Sequence, residues 1–242
     1  QLSVIAASLA GAVNTGIVNT GANHSARGAA MTLRGKFITI EGGEGVGKST
    51  NIACVENFLR SHSIQFIKTR EPGGTPLAEE LRNILLTPRE EKVCEKTELL
   101  LMFAARAQHL HHVILPALAQ GIWVICDRFT DATYAYQGGG RGLSIATISI
   151  LENLVQDGLQ PDLTILLDVD VQTGMSRLSS RPDTDRFERE QQDFFEAVRV
   201  VYRQRAQQYP ERFRLIDAGQ SLESVQRDII SVLTQFTGLS DD

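Results

Sequence analysis

Residues 42 to 49 read Gly42-Gly43-Glu44-Gly45-Val46-Gly47-Lys48-Ser49, and they constrain this chain more than any other stretch does. They follow a short apolar run, Phe37 to Glu41, and precede Ile52, Val55 and Leu59 at helical spacing. The pattern G-x-x-x-x-G-K-[ST] between a strand and a helix is a phosphate cradle. Its glycines let the backbone wind tightly enough for successive N–H groups to face one anion, and the helix that follows adds its positive end. Gly42 through Thr50 are therefore expected to hold the phosphates of ATP or GTP. Lys48 should reach the β and γ phosphates, and the Ser49 hydroxyl should ligate Mg²⁺. Glu44 is harder to place, because a carboxylate beside triphosphate costs electrostatic energy unless it points elsewhere. It either faces a second substrate or is a solvent-facing loop acid.

A cradle of this kind needs a parallel sheet behind it. Five β-rich runs, Phe37 to Glu41, Ile64 to Thr69, Ile122 to Asp127, Leu163 to Asp168 and Phe213 to Asp217, alternate with helical patterns. That alternation is the mark of an α/β sheet built from βαβ units, and near-continuous apolar runs suit strands covered on both faces. Ile52, Val55 and Leu59, then Leu77, Leu81 and Ile84, then Leu222, Val225, Ile229 and Val232 are read as helical core residues. Two helices, broken at Thr87-Pro88, are expected between residues 70 and 121.

The 242 residues correspond to one or two domains at ~150 residues each. Residues 1 to 30 hold no acid and one arginine, Arg27, without a basic start for a signal peptide. They are expected to be an unstructured tail or a gene-start or artificial extension, with Met31 as the natural beginning and 31 to 242 as a single domain. The apolar stretches fall short of the ~20 residues that span a bilayer, so no membrane association is expected. A net charge of -5 gives no general affinity for nucleic acid, and any anion must be held by a local cluster. Three cysteines with no C-x-x-C spacing suggest neither a disulfide framework nor zinc, but a reduced, cytoplasmic protein.

Two arginines come at strand ends, Arg70 in Thr69-Arg70-Glu71-Pro72-Gly73-Gly74-Thr75 and Arg128 in Asp127-Arg128-Phe129. Ligands of an open parallel sheet bind at the carboxyl ends of its strands, so both should face the cradle and hold a second phosphate bidentately. Asp127 is placed to hold Mg²⁺ directly or through water.

TREPGGT at 69 to 75, LLMFAARAQH at 100 to 109, DRFTDATYAYQGGGRG at 127 to 142 and DRFE at 185 to 188 follow the cradle in order. Together, over about Lys36 to Phe236, they resemble the bacterial thymidylate kinases. The resemblance implies a P-loop nucleoside monophosphate kinase: a three-layer sandwich with a five-stranded parallel sheet flanked by helices, plus a short mobile lid. It implies transfer from ATP to dTMP, giving ADP and dTDP, and a homodimer formed through helices on one sheet face. By matched position it makes Arg70 and Arg128 ligands of the dTMP phosphate and brings Glu44 to the sugar 3′-hydroxyl. Arg106, Thr133 and Gln137 would read the edge of thymine, and Tyr136 would sit against C2′ and disfavour ribose. Phe103 is assigned to stack on the base, although some members carry the aromatic where this chain has Met102.

The lid falls at Arg177 to Arg189. The cradle contains no arginine, so a lid arginine is expected to meet the transferring phosphoryl group; Arg181 is the first choice and Arg186 the second, the latter with a competing pairing to Asp185 and Glu188. His109, His111 and His112 lack a completing ligand and are not read as a metal site. Gly138-Gly139-Gly140 is read as substrate-loop backbone. The cradle alone would also fit another small-substrate P-loop kinase or a nucleotide-binding regulatory module.

Overall fold

The computed structural model describes residues 34–178 and 185–239. Five strands, β1 (Phe37–Glu41), β2 (Phe66–Arg70), β3 (Trp123–Asp127), β4 (Leu163–Asp168) and β5 (Phe213–Asp217), form one sheet in the order β2-β3-β1-β4-β5. Every pairing is parallel. Their apolar runs are what both-face burial demands: all five residues of β1 are buried, as are the first five of β4.

The two faces of the sheet carry separate layers of helix. Ile38, Ile40, Ile125, Ile165 and Leu167 point to the side packed by Ile52, Val55 and Leu59 of α1 (Lys48–Ser61) and by Val225, Ile229 and Leu233 of the C-terminal helix. Phe37, Val124 and Cys126 point the other way, toward Leu110, Ile114 and Leu118. In chain order the remaining helices are α2 (Pro76–Leu86), α3 (Glu95–His109), α4 (Leu115–Ala119), α5 (Thr130–Thr133), α6 (Ile145–Gln156), α7 (Val171–Leu178), α8 (Gln192–Gln208) and α9 (Leu222–Thr237). A wide helical turn, Leu110–Ile114, joins α3 to α4, and a second, Tyr134–Gly140, extends α5. The break at Thr87-Pro88 falls where α2 ends, with Thr87 as its C-cap.

Three sequence expectations change. The second strand starts at Phe66 rather than Ile64 and runs on through Arg70, so Arg70 is the last strand residue. Leu77, Ile84 and Leu222 are 49%, 43% and 46% exposed and are not core. On α2 the buried positions are Ala78 and Leu85, one residue further on, which turns the inward stripe by about 100°. Gly138-Gly139-Gly140 is helical backbone, Gly139 and Gly140 pressed against α8 and Gly138 against α6: a Cβ at Gly140 would lie 2.3 Å from the Phe194 ring, so these glycines allow close helix packing and do not form a loop.

Glu41 ends β1 beneath the cradle with no solvent exposure. The Phe129 N–H donates to its Oε1 at 2.7 Å and the Tyr202 hydroxyl to its Oε2 at 2.8 Å. Burial, with the Asp131 charge adding to it, raises its carboxyl to about 7 from an ordinary 4.5. A raised acid keeps its proton in the folded chain after the unfolded chain has lost it, so this group costs stability progressively as pH rises from about 4.5 to 7. Glu41→Gln should therefore lose less stability between those pH values than the parent, as read by urea unfolding at both. Parallel pH slopes would mean that Glu41 is ionised in the fold.

Candidate active site

The carboxyl ends of β1 and β3 open into a cleft of about 420 Å³, the size of a small-molecule site. On one wall lies the cradle. Gly45 has φ +70°, and a Cβ on it would lie 2.0 Å from the Gly174 carbonyl of α7, so only glycine closes this turn. Lys48 folds back, its Nζ donating to the Gly43 carbonyl at 3.3 Å. Burial and the neighbouring Arg128 charge push the Lys48 ammonium below its ordinary value.

Asp127 stands in register with Ile40 on one side and Arg70 on the other, at the same level of the sheet. It lines the cleft with Ser49, and its Oδ1 is buried without a hydrogen-bond partner among the described residues. A hard carboxylate oxygen left open beside a hydroxyl suits a divalent cation that takes its other ligands from phosphates and water. Among the described residues no group of three or more His, Cys, Asp or Glu could hold a metal ion by itself. His109 is buried and bonded elsewhere, Nε2 to Thr69 Oγ1 at 2.6 Å and Nδ1 to Glu71 Oε1 at 3.0 Å.

Arg128 follows directly, in the left-handed backbone region at φ +67°. Its guanidinium donates to the Gly42 carbonyl at 3.0 Å and to Glu44 Oε1 at 2.5 Å, and the Tyr136 hydroxyl donates to the same Glu44 oxygen at 2.7 Å. Glu44 is thus drawn out of the cradle toward the opposite wall, and its charge is met by Arg128. The Arg128 guanidinium also lies 4.7 Å from the centre of the Tyr136 ring.

The far wall carries Arg106, 2% exposed. Nε donates to Glu71 Oε2 at 2.7 Å and Nη2 to Thr133 Oγ1 at 2.9 Å, while Nη1 is buried with no partner among the described residues. An unpaired buried donor costs on the order of 1–3 kcal/mol unless a ligand takes it up. Gln137, 1% exposed, lines the same wall.

Other sequence-predicted residues stand apart from the cleft. Phe103 is 2% exposed and packs with Leu99, Tyr134 and Ile148, while Met102, one position back, lines the cleft. Arg70 is directed to Glu79 Oε2 at 2.9 Å, with 55% of its side chain exposed. Arg186 does not pair with Asp185 or Glu188. Its backbone N–H donates to the Leu86 carbonyl at 3.0 Å, and its side chain reaches the Leu85 carbonyl at 2.7 Å and Glu98 at 2.6 Å, tying its segment to α2 and α3. Arg181 lies outside the described residues. Arg177 does line the cleft, donating to the Gly45 carbonyl at 3.4 Å and the Ala218 carbonyl at 3.2 Å.

One cation was not foreseen. Arg82 of α2 lines the cleft and donates to the Pro72 carbonyl at 2.9 Å. Burial and the Arg70 charge push its guanidinium below the ordinary value. For Lys48 and Arg82 alike burial is the larger cause and a neighbouring guanidinium the second, whereas Arg128, paired with Glu44, is shifted upward.

A glycine cradle facing Arg82, Arg106 and Arg128 across one cleft at the carboxyl ends of a parallel sheet suits phosphoryl transfer between two phosphorylated molecules, the chemistry of the P-loop monophosphate kinases. The thymidylate kinase family model matches residues 40–229. A thymidylate kinase of Teredinibacter turnerae is 62% identical over 204 residues, covering 84% of this chain and all of that protein. One from Pseudomonas putida is 60% identical over 201 residues, covering 83% and 96%. The crystal structure of thymidylate kinase from Ehrlichia chaffeensis superposes with a TM-score of 0.67 at 34% identity, over 83% of this chain and 99% of that one. The chain belongs to the thymidylate kinase family.

Proposed function

We propose that this chain transfers the γ-phosphoryl group of ATP to dTMP, giving ADP and dTDP. Beyond family membership, the observation that carries the reading is the unpaired Arg106 Nη1, held by Glu71 and Thr133 in the wall opposite the cradle. A base carbonyl would take up that donor. The attacking group is a phosphate oxygen of dTMP, already largely ionised near neutrality because the second phosphate pKa is about 6, so no general base is needed. The difficulty is bringing two anions together, and Lys48, Arg128 and the cradle N–H groups offset it.

Ser49 and Asp127 would hold Mg²⁺, which supplies charge neutralisation of the phosphates when bound. Arg82, which lines the cleft, would border the acceptor phosphate site, and Arg70 would reach that phosphate by exchanging Glu79 for it. Met102 is better placed than Phe103 to lie against thymine. Tyr136, fixed by Glu44, occupies the space a ribose 2′-hydroxyl would need. Arg181 keeps its proposed role at the transferring group on sequence grounds; of the lid's described arginines, Arg177 is the one that lines the cleft.

The apolar side chains Leu100 of α3 and Ile150 and Leu154 of α6 are 56%, 67% and 76% exposed on helices that pack side by side. Exposed apolar side chains on these two helices support the homodimer, which sedimentation at twice the chain mass would establish. No helix among the described residues is long and apolar enough to cross a membrane, and all three cysteines are free, which is in keeping with a cytoplasmic setting.

A coupled ADP-release assay with dTMP, dUMP, dCMP, UMP, AMP and GMP offered separately tests the function. It is to be run on the chain and on a version starting at Met31, from which equal activity is expected. We expect dTMP to be preferred, dUMP to be poorer by the ~1–3 kcal/mol of one methyl group, and dCMP to be nearly inert. Equal efficiency with dTMP and dCMP would overturn the reading.

A further inference from the structure

Glu98 of α3 has no solvent exposure and takes three donors from distant parts of the chain. Its Oε1 accepts from Gln137 Nε2 at 2.8 Å and from Arg141 Nε at 3.2 Å, and its Oε2 accepts from Arg186 Nη2 at 2.6 Å. A carboxylate set between two guanidinium groups accepts hydrogen bonds and donates none. The amide atom of Gln137 that faces it must therefore be the NH₂ group. This leaves the carbonyl oxygen of Gln137 as the amide atom available to the cleft that the residue lines.

Across the same wall Arg106 can only donate, and its Nη1 has no partner among the described residues. One fixed acceptor beside one fixed donor matches the N3–H and O4 of thymine. Cytosine reverses both groups, so its N3 would meet the Gln137 oxygen and its amino group the Arg106 guanidinium. An amide, unlike a guanidinium, can turn over and present its NH₂ instead. Whether it does depends on what holds its other end.

We propose that Glu98 is the positioning residue that sets base choice, by locking the Gln137 amide with its oxygen toward the base. Glu98 itself touches no substrate. Arg141 and Arg186 hold it in place as a charged acceptor, which gives Arg186 a role in the acceptor site without contact with the reacting phosphoryl group. The inference rests on the thymidylate reading of that site.

The test is Glu98→Gln, because the new amide can donate to Gln137 and so permit the turned-over state. The dTMP KM should rise, and the ratio of kcat/KM for dTMP over dCMP should fall by about tenfold or more, through loss of discrimination against the wrong hydrogen-bond pattern. A merely structural role would lower melting temperature and total activity but leave that ratio alone. Should the Gln variant not fold, Glu98→Asp keeps the charge for both arginines and withdraws the acceptor by one methylene, and the ratio should fall in the same direction by less. A ratio within about twofold of the parent in the folded variant overturns the role of Glu98. A parent that itself fails to prefer dTMP over dCMP overturns the underlying reading, so the two failures are distinguishable.

Discussion

Lys48→Ala is expected to lower kcat by a factor on the order of 10² or more, the usual loss when one preorganised charge-stabilising group is removed from a dry site. The fold should survive. Among the described residues Lys48 donates one long hydrogen bond, to the Gly43 carbonyl at 3.3 Å, and joins no apolar cluster. Its ammonium is held in the cleft against both burial and the Arg128 charge, a cost that the folded chain alone does not recover. That arrangement is useful only when phosphate arrives. The coupled assay measures the loss and a melting curve measures the fold; turnover within a few-fold of the parent would remove Lys48 from the reaction.

Arg128→Ala should cost about as much in kcat/KM, on the order of 10² to 10³, because truncating one side of a buried charge pair strands the other. Arg128 binds the Gly42 carbonyl and Glu44 at once, so its loss takes the cation away from a phosphate-loop carboxylate that keeps the Tyr136 hydroxyl. The left-handed backbone at this position burdens alanine and arginine alike and does not explain the effect. Arg128→Lys keeps the charge but cannot fork to both partners, and should fall between parent and alanine. If repulsion between the Glu44 charge and phosphate is the main part of the loss, Arg128→Ala combined with Glu44→Gln will recover activity relative to Arg128→Ala alone. A double variant no better than the single one assigns the whole loss to the missing cation.

How far these sites could be read in advance depended on whether their chemistry was local. The cradle and the Asp127-Arg128 pair are set by residues adjacent in sequence at the end of an apolar strand, and both stand where spacing and strand logic put them. Phe103 and Met102 show the limit. One step along a helix is a rotation of about 100°, which decides between core and cleft, and the spacing of apolar residues does not fix that angle when both candidates are apolar. Leu77 and Ile84 mislead for the same reason, because small Ala78 and long Arg82 share the inward stripe with Leu85. Glu98 and Arg82 were illegible on other grounds. A charge in a helix normally faces water, and what buries Glu98 is Arg186, 88 residues away, together with Gln137 and Arg141.

The rung of the sheet on which Ile40, Asp127 and Arg70 stand in register acts as a ruler. Neighbouring strands are ~4.8 Å apart, so the loop above β1 and Arg70 at the end of β2, the residue proposed for the acceptor phosphate, are held two strand spacings, roughly 10 Å, from each other. A hydrogen-bonded ladder stretches far less readily than a loop, and no surface insertion would alter that span. The residues proposed to read the base, in contrast, are side chains of one helix and one wide helical turn. On that reading a few side-chain substitutions would suffice to change the base, whereas the span between the two phosphate-binding walls is fixed by the strand order itself.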